Sequence, residues 1–221
     1  MYPPICRTLE WRPEVLLSQD DYISQVVVNM SLNPFDFDKY MIQKQLFRLG
    51  AFHVYNSVGA LALYVDRKVF KLREDIRVYT DESKSIEVLT IKARRILDFS
   101  AAYDVWDSRT GEKVGVFKRR GWQSMVQDAW IIMDANDNDI GEITEDSLLM
   151  ALLRRLATNL IPQSFHGTIQ GMPVLSFHQH FNPFILKMDL DFSMDTNKKM
   201  DRRLGLAAAV LFTAVEGRQE G

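Results

Sequence analysis

The chain has 221 residues, of which 47% are hydrophobic and 25% are charged. This composition is typical of a globular protein with a sizeable core, and the formal net charge of −2 argues against a protein that binds nucleic acid across a wholly basic surface. The single cysteine, Cys6, excludes a disulfide within the chain, and the first residues lack the basic start and long apolar run of a signal peptide. We therefore predict a cytoplasmic protein that does not bind nucleic acid.

Residues 1–38 differ in pattern from the rest of the chain. They hold four of the seven prolines and only one strand-like run, Ile23–Met30. From Tyr40 onward, short β-branched and aromatic runs alternate with clusters of Gly, Asn and Asp, which is typical of successive antiparallel strands. We predict an N-terminal arm or accessory strand over residues 1–38 and one β domain over residues 39–217.

Three segments are predicted to form similar β-hairpins: HVYNSVGALAL, YDVWDSRTGEKVGVF and WIIMDANDNDIGEIT. In each, an apolar strand ends at Asn or Asp, and a glycine leads into the next strand or lies within it. Asn and Asp side chains cap turns, and glycine adopts positive φ without strain. The pairs are Asn56 with Gly59, Asp107 with Gly111, and Asp134 with Gly141. Further strands are predicted at Ile76–Thr80, Ile86–Ala93, Ser164–Gln170, Val174–His180 and Phe184–Ser193.

The segment Phe184–Ser193 shows the clearest alternation in the chain. Its even positions from 184 to 192 are Phe, Leu, Met, Leu and Phe, whereas its odd positions from 187 to 193 are Lys, Asp, Asp and Ser. Successive side chains of a strand point to opposite faces. One face of this strand is therefore predicted to be buried and the other exposed.

A helix is predicted between the two groups of strands, in EDSLLMALLRRLATNLIP. Ser147 can cap its start, and Pro162 lies just beyond its end. Its apolar stripe consists of Leu148, Leu149, Leu152, Leu153, Leu156 and Leu160. Because the stripe covers only one side, we predict an amphipathic helix that packs on the outside of the sheet.

A second apolar segment, DRRLGLAAAVLFTAVEG, runs from Asp201 to Gly217, and its stretch Leu204–Val215 carries no charge. As a helix this stretch would extend ~18 Å, which is short of the ~30 Å of bilayer hydrocarbon. A helix that is apolar on all sides must still be surrounded, and strands with one apolar face need something to close around. The central-helix residues are Leu204, Leu206, Ala208, Val210, Leu211, Phe212 and Val215. We predict a mainly β protein, a closed antiparallel β-barrel around this helix.

Four stretches, taken in order, resemble the LURP-one-related family, which belongs with phospholipid scramblases and Tubby C-terminal domains in one superfamily. They are YMIQKQLFRLGAFHVYNSVGALALYV, YDVWDSRTGEKVGVFKRR, WIIMDANDNDIGEITED and MDLDFSMDTNKKMDRRLGLAAAVLF. The resemblance extends from Tyr40 to Val215. It implies a barrel of twelve antiparallel strands around a central apolar C-terminal helix, and membrane-lipid binding in some relatives.

Two basic groups are the candidate lipid-binding residues. The first, Lys118, Arg119 and Arg120, ends one predicted strand; the second, Lys92, Arg94 and Arg95, lies on another strand that would be close if the two are neighbours. Phosphoinositide headgroups need several cations that converge on one site. Solvated strand ends are the alternative interpretation.

Two acidic stretches have the spacing of possible calcium ligands. In phospholipid scramblases, which the resemblance includes, an acidic segment just before the final helix is a proposed calcium site. In this chain Asp189, Asp191 and Asp195 precede the final helix. Calcium prefers six to eight oxygens from a curled loop, so an exposed strand face is the favoured interpretation. Asp134, Asn136, Asn138, Glu142 and Glu145 match the EF-hand spacing, but Asp139 replaces the glycine that an EF-hand requires. We predict a hairpin turn there.

Three histidines are the candidate metal ligands. His178 and His180 point to one face of a strand, and the position of His166 depends on the turn before that strand. A turn at Gly171-Met172-Pro173 places His166 opposite His178, whereas a turn at Gly171-Met172 places it on the other face. Three imidazoles could hold zinc or copper, and ordinary surface histidines are the alternative.

These observations lead to three hypotheses about function. The favoured one is a non-enzymatic binding module, without a cofactor, for membrane phospholipid headgroups or for a protein partner. The alternatives are scramblase-like lipid transport, in which the helix would leave the barrel, and a metal-dependent enzyme that uses the three histidines. The predicted partner is an anionic phospholipid or membrane surface, with peripheral membrane association, or a protein; no oligomeric state is predicted.

Overall fold

The computed structural model of the protein describes residues 33–44, 50–67, 75–94, 102–120, 129–145, 164–180 and 185–216. These residues form twelve β-strands and one C-terminal α-helix. The strands are β1 (Lys39–Lys44), β2 (Ala51–Asn56), β3 (Leu61–Arg67), β4 (Asp75–Tyr79), β5 (Glu87–Ala93), β6 (Ala102–Asp107), β7 (Lys113–Arg119), β8 (Ala129–Met133), β9 (Asp139–Glu145), β10 (Ser164–Ile169), β11 (Met172–His180) and β12 (Lys187–Asp191). The helix, α1, spans Arg202–Glu216.

The strands form a closed antiparallel barrel. Each strand pairs with the next one in chain order, and β12 then pairs with β1. At this closure Lys39 lies opposite Asp191, and the Lys44 amide donates a 3.0 Å hydrogen bond to the Leu186 carbonyl. Every described strand therefore has a partner on both sides, which leaves no edge to pair with another chain. The predicted barrel with a C-terminal helix is confirmed.

Strand periodicity places one apolar face inside the barrel. The inner face of β12 and the residue after it consists of Met188, Leu190 and Phe192, which are at most 1% exposed. Asp189 and Asp191, which alternate with them, are partly exposed. The predicted alternation is thus observed over residues 186–193. The same inward and outward alternation decides which charged side chains reach the outer wall.

The three predicted hairpins are present as β2–β3, β6–β7 and β8–β9, and side chains cap their turns. Asn56 Oδ1 accepts hydrogen bonds of 2.9 and 3.1 Å from two amides of its own turn. Asp134 Oδ1 accepts bonds of 2.8 and 2.9 Å from the amides of Asn136 and Asn138. Alternate connections of an antiparallel meander lie at the same end of the sheet. These turns, with those of β4–β5 and β10–β11, therefore share one end of the barrel, which we call the hairpin end.

Helix α1 fills the interior of the barrel. Its hydrophobic side chains from Leu204 to Ala214 are at most 3% exposed. The Phe212 ring lies 5.2–5.3 Å, between ring centroids, from Trp130, Phe165 and Phe177, which belong to three different strands. The residues expected in the central helix are all buried, namely Leu204, Leu206, Ala208, Val210, Leu211 and Phe212; the Val215 side chain is not among those described.

Some predictions concern residues outside the described ranges. The amphipathic helix with its leucine stripe and the strand Ile23–Met30 fall there and stay predictions. The chain divides into the compact units Met1–Asn33 and Pro34–Gly221. The predicted arm over 1–38 likewise stays a prediction. Among the described helical residues, no segment is both long and apolar enough to cross a membrane.

Candidate functional site

Three of the six candidate lipid-binding residues, Lys92, Arg94 and Lys118, lie on the outer wall of β5, β6 and β7. Tyr103 and Val105 of β6 are buried in the core, so Asp104 between them faces outward. Lys92 of β5 is the register partner of Asp104, and Lys118 of β7 is the partner of Ala102. The two basic strands are not direct neighbours, because β6 lies between them. Lys92 and Lys118 nevertheless share one surface, which we call the β5–β7 wall.

Arg94 forms ion pairs with two carboxylates, Asp104 and Asp137. Its guanidinium donates to both oxygens of Asp104 at 2.7–3.0 Å and to Asp137 Oδ1 at 2.5 Å. Lys113 Nζ lies 2.6 Å from the same Asp137 oxygen and 3.4 Å from Asp104. Hydrogen bonds from Arg94 and Lys113 hold the pKa of Asp137 below its ordinary value. This cluster of two cations and two anions ties three hairpins together and carries no net charge.

The remaining basic residues differ in how accessible they are. Lys92 and Lys118 are exposed, and neither forms an ion pair with any other described residue. Arg120 Nη2 lies 3.1 Å from Glu142 Oε2, with both side chains about half exposed; such surface pairs contribute little to stability. Arg119 is half-buried and its guanidinium lies 6.0 Å from the Trp130 ring centroid. The last candidate, Arg95, lies outside the described residues.

Trp106 is a further residue of the β5–β7 wall that the sequence analysis did not select. It faces outward from β6, 37% exposed, in register with Thr90 of β5 and Lys113 of β7. Its neighbours Val105 and Asp107 are almost fully buried, so the strand period alone signals its outward direction. An exposed tryptophan on the same wall as the exposed Lys92 and Lys118 suits a surface that meets an interface between water and apolar groups. Lys118 lies opposite Ala102, four residues along β6 from Trp106.

Ion pairs hold the start of α1 at the hairpin end. Arg202 contacts Asp195 at 3.0 Å and Asp38 at 2.8 Å, and its guanidinium lies 4.3 Å from the Phe192 ring centroid. The Asp195 side chain is only 2% exposed and also accepts bonds from two backbone amides, at 2.9 and 3.0 Å. These hydrogen bonds and the ion pair with Arg202 hold the loop between β12 and α1 in place.

The next arginine anchors α1 to a hairpin turn. Arg203 donates to Asp107 at 3.0 Å, to Asp201 at 2.7 Å and to Glu112 at 3.2 Å. Burial opposes ionisation of Asp107, but hydrogen bonds from Arg203 and Arg109 outweigh it and lower the pKa of this carboxyl. We call Arg202, Arg203 and their carboxylate partners Asp195 and Asp107 the helix lock.

Both registers considered for the β10–β11 hairpin are wrong. The turn residues are Gln170 and Gly171, and a β-bulge shifts the register between Gly167 and Thr168. Gln170 has φ +51° and Gly171 has φ +76°, which is the conformation of a two-residue type I′ turn. Glutamine is rarely found with positive φ. The sequence therefore carried no strong signal for a turn at this position.

The observed register separates His166 from the other two histidines. His166 lies opposite Ser176, and His178 lies opposite Ser164. All three imidazoles are exposed, but only His178 and His180 are adjacent, with ring centroids 5.5 Å apart. Within the described part of the chain, no group of three or more His, Cys, Asp or Glu residues is placed to hold a metal ion.

The acidic residues considered as calcium ligands have separate partners. Asp189 Oδ2 lies 2.7 Å from His180 Nε2, Asp191 Oδ2 lies 3.1 Å from Lys39 Nζ, and Asp195 belongs to the helix lock. The stretch with EF-hand spacing forms the turn of the β8–β9 hairpin, as expected, and β9 begins at Asp139. These carboxylates thus take part in turns and ion pairs of the barrel.

A known protein family matches most of this chain. The family model described as LURP-one-related matches residues 39–213. A solved X-ray structure of an Arabidopsis thaliana protein is similar with a TM-score of 0.46 and 13% identity, over 80% of this chain and 91% of that chain. No curated protein matches the sequence. Because the family model accounts for most of the chain, the protein belongs to the LURP-one-related family.

Proposed function

We propose that this protein is a non-enzymatic binding module that engages anionic phospholipid headgroups through the β5–β7 wall. One observation carries the proposal: Lys92 and Lys118 are exposed on the same wall, while the charges of Arg94 and Lys113 beside them are balanced by Asp104 and Asp137. Neither lysine forms an ion pair with a described carboxylate; the register partners of Lys92, Asp75 and Asp104, are paired with Arg77 and Arg94.

The filled interior favours binding on the outer surface. Helix α1 occupies the barrel with side chains that are at most 3% exposed, and the helix lock ties its first turn to Asp195 and Asp107. Scramblase-like transport would require α1 to leave this position, with loss of the packing around Phe212 and of both ion pairs. A histidine-based enzyme would require His166, His178 and His180 to converge, which the observed register does not favour.

The spacing of the lysines suits a membrane surface better than a single phosphate. Lys92 and Lys118 are two strands and two residues apart on the wall. Strands lie about 4.8 Å apart and rise about 3.3 Å per residue, so the two Cα atoms are roughly 12 Å from each other. Each lysine near an anionic membrane contributes about 1 kcal/mol. Trp106 on the same wall suits the membrane–water interface. We expect weak, salt-sensitive, peripheral binding.

Vesicle flotation tests this proposal. The probes are vesicles of phosphatidylcholine alone, and of phosphatidylcholine mixed with phosphatidylserine or with a phosphoinositide. We expect binding only to the anionic vesicles, and it should weaken as salt is added because the attraction is screened. The variant Lys92→Gln/Lys118→Gln should lose about 2 kcal/mol, or roughly thirtyfold in partition coefficient.

A charge-matched variant separates a local surface from a general charge effect. Lys39→Gln/Lys187→Gln removes the same charge from β1 and β12, and β12 lies opposite β6 in the ring of twelve strands. We expect this variant to bind within about threefold of the parent protein. Equal losses in the two double variants would contradict a site on the β5–β7 wall. No binding to any vesicle would overturn the lipid proposal in favour of a protein partner.

A further inference from the structure

A pair of histidines lies on the outer face of β11, away from the β5–β7 wall. His178 and His180 are two residues apart on the strand, and both are exposed. Their ring centroids are 5.5 Å apart, and the ring planes are inclined at 80°. The strand β11 is five positions from β6 around the barrel, so this pair plays no part in the proposed phospholipid surface.

One nitrogen of each ring is already held by a neighbouring strand. His178 Nδ1 lies 3.0 Å from Ser164 Oγ on β10, and His180 Nε2 lies 2.7 Å from Asp189 Oδ2 on β12. An ionised carboxylate only accepts hydrogen bonds, so His180 Nε2 carries the hydrogen, and in the neutral ring Nδ1 presents its lone pair. When His178 Nδ1 donates to the Ser164 hydroxyl, Nε2 presents its lone pair in the same way.

This arrangement has the outer partners that metal-binding histidines use. Such histidines donate their second ring nitrogen to a carboxylate or another acceptor, which fixes the ring and its tautomer. A metal ion bound at 2.0–2.1 Å to one nitrogen of each ring places the ring centroids about 5 Å apart. The observed separation of 5.5 Å is close to this value, and binding also requires the free nitrogen of each ring to turn towards one common point.

Two charged residues beside the histidine pair have opposite effects on cation binding. Asp189 is the register partner of His178, and Lys187 is the register partner of His180. The carboxylate therefore favours a bound cation, whereas the ammonium group disfavours it. This gives a specific expectation, namely that removing the charge of Lys187 strengthens cation binding.

We propose that His178 and His180 bind one late first-row divalent metal ion, with water completing its coordination. Imidazole suits Cu²⁺, Ni²⁺ and Zn²⁺, and the general order of affinity places Cu²⁺ first. Ser164 and Asp189 are positioning residues that hold the two rings. His166 is not assigned as a ligand: it lies opposite Ser176, and the ring contact is between His178 and His180. The site uses two protein ligands, in agreement with the lack of a three-ligand group among the described residues.

Titration of the full chain with NiCl₂ by isothermal titration calorimetry tests the site. A tag-free protein carrying Cys6→Ser serves as the parent, so that a thiolate cannot contribute. We expect one Ni²⁺ per chain. Loss of an outer partner lowers metal affinity about 10–100-fold, so His178→Gln and His180→Gln, which remove ligands, should each weaken binding more than about tenfold. Lys187→Gln should strengthen it about twofold to threefold.

Electron paramagnetic resonance of the Cu²⁺ complex distinguishes ligands from positioning residues. We expect hyperfine coupling to two imidazole nitrogens in the parent and to one in each histidine variant. Asp189→Asn should weaken binding about tenfold and keep both nitrogens. The control His166→Gln should bind within about twofold of the parent. Absence of saturable binding, or an equal loss in His166→Gln and His178→Gln, would overturn the proposal; thermal unfolding of each variant verifies that its fold is retained.

Discussion

Asp107 performs two tasks with one side chain. Its Oδ1 accepts a 2.9 Å hydrogen bond from the Arg109 amide in the β6–β7 turn, while its Oδ2 accepts a 3.0 Å bond from Arg203 of α1. The first contact is local and was readable from the sequence as a turn cap. The second contact joins residues that are 96 positions apart in the chain, so no local sequence pattern predicts it.

Replacing this carboxylate should destabilise the protein in a pH-dependent way. Asp107→Asn keeps an oxygen for the turn but leaves Arg203 without its most buried partner. We expect a loss of about 2–3 kcal/mol in the free energy of unfolding at pH 7. Because the pKa of Asp107 is lowered in the folded protein, its contribution is present at neutral pH and disappears as the pH falls below about 4.

Urea unfolding at several pH values checks this expectation. The difference in unfolding free energy between the parent and Asp107→Asn should shrink as the pH is lowered from 7 towards 3. The variant Asp139→Asn serves as the control, because Asp139 is exposed. A difference for Asp107→Asn that stays constant over this range would show that its charge contributes nothing.

At the scale of elements, α1 begins with charges of the unfavourable sign. A helix N-terminus favours negative groups, yet the first turn of α1 contains Arg202 and Arg203 and no acidic residue. Asp201 compensates as the N-cap, since its Oδ1 accepts a 2.8 Å bond from the Arg203 amide. The helix lock adds carboxylates from other parts of the barrel. The helix start is therefore held both by its own N-cap and by carboxylates from other parts of the barrel.

Gly205 shows how packing can override helix propensity. Alanine favours a helix over glycine by about 1 kcal/mol, but a Cβ at position 205 would lie 2.4 Å from two ring carbons of Phe192. Overpacking of this kind costs about 1–3 kcal/mol. We expect Gly205→Ala to lower the free energy of unfolding by about 1 kcal/mol net. Chemical denaturation measures this change.

A second substitution identifies the cause. In the background Phe192→Leu the ring is absent, so adding Gly205→Ala should be neutral or stabilising there. The coupling in this double-mutant cycle is expected to be about 1–2 kcal/mol. Equal effects of Gly205→Ala in both backgrounds would exclude the Phe192 ring as the source of strain.

At the scale of the whole molecule, the barrel and α1 depend on each other. The strands bury their inner faces on the helix, and the helix has no exposed hydrophobic side chain from Leu204 to Ala214. The twelve strands form one ring of antiparallel pairs, so loss of the core affects every pairing. Disruption of α1 is therefore expected to unfold the barrel as a unit.

A charge in the middle of α1 tests this dependence. Ala208 is 0% exposed, and Ala208→Asp would bury an unpaired carboxylate, which costs more than about 4 kcal/mol. We expect circular dichroism and size-exclusion chromatography to show an unfolded or aggregated protein. Ala135→Asp is the matched control, because Ala135 is exposed in the β8–β9 turn. A folded Ala208→Asp protein would show that α1 is dispensable for the barrel.

Local sequence patterns were enough to predict the strand alternation of residues 186–193, the Asn- and Asp-capped turns, and the enclosed apolar helix. These features follow from the order of adjacent residues, because side-chain period and turn chemistry are local properties. Together they were sufficient to predict a closed barrel around a C-terminal helix. The outer positions of Lys92 and Lys118 follow from the same period.

Which distant residues contact one another depends on the folded barrel. It placed β6 between the two basic strands and paired Arg94 with Asp104 and Asp137. It also set His166 opposite Ser176 instead of His178, through a turn at Gln170 and Gly171. Strand order around a barrel, bulges and positive-φ turns at residues such as Gln170 depend on contacts between distant parts of the chain. Such contacts have no signature in a local stretch of sequence, since a shift of one residue changes every cross-strand partner.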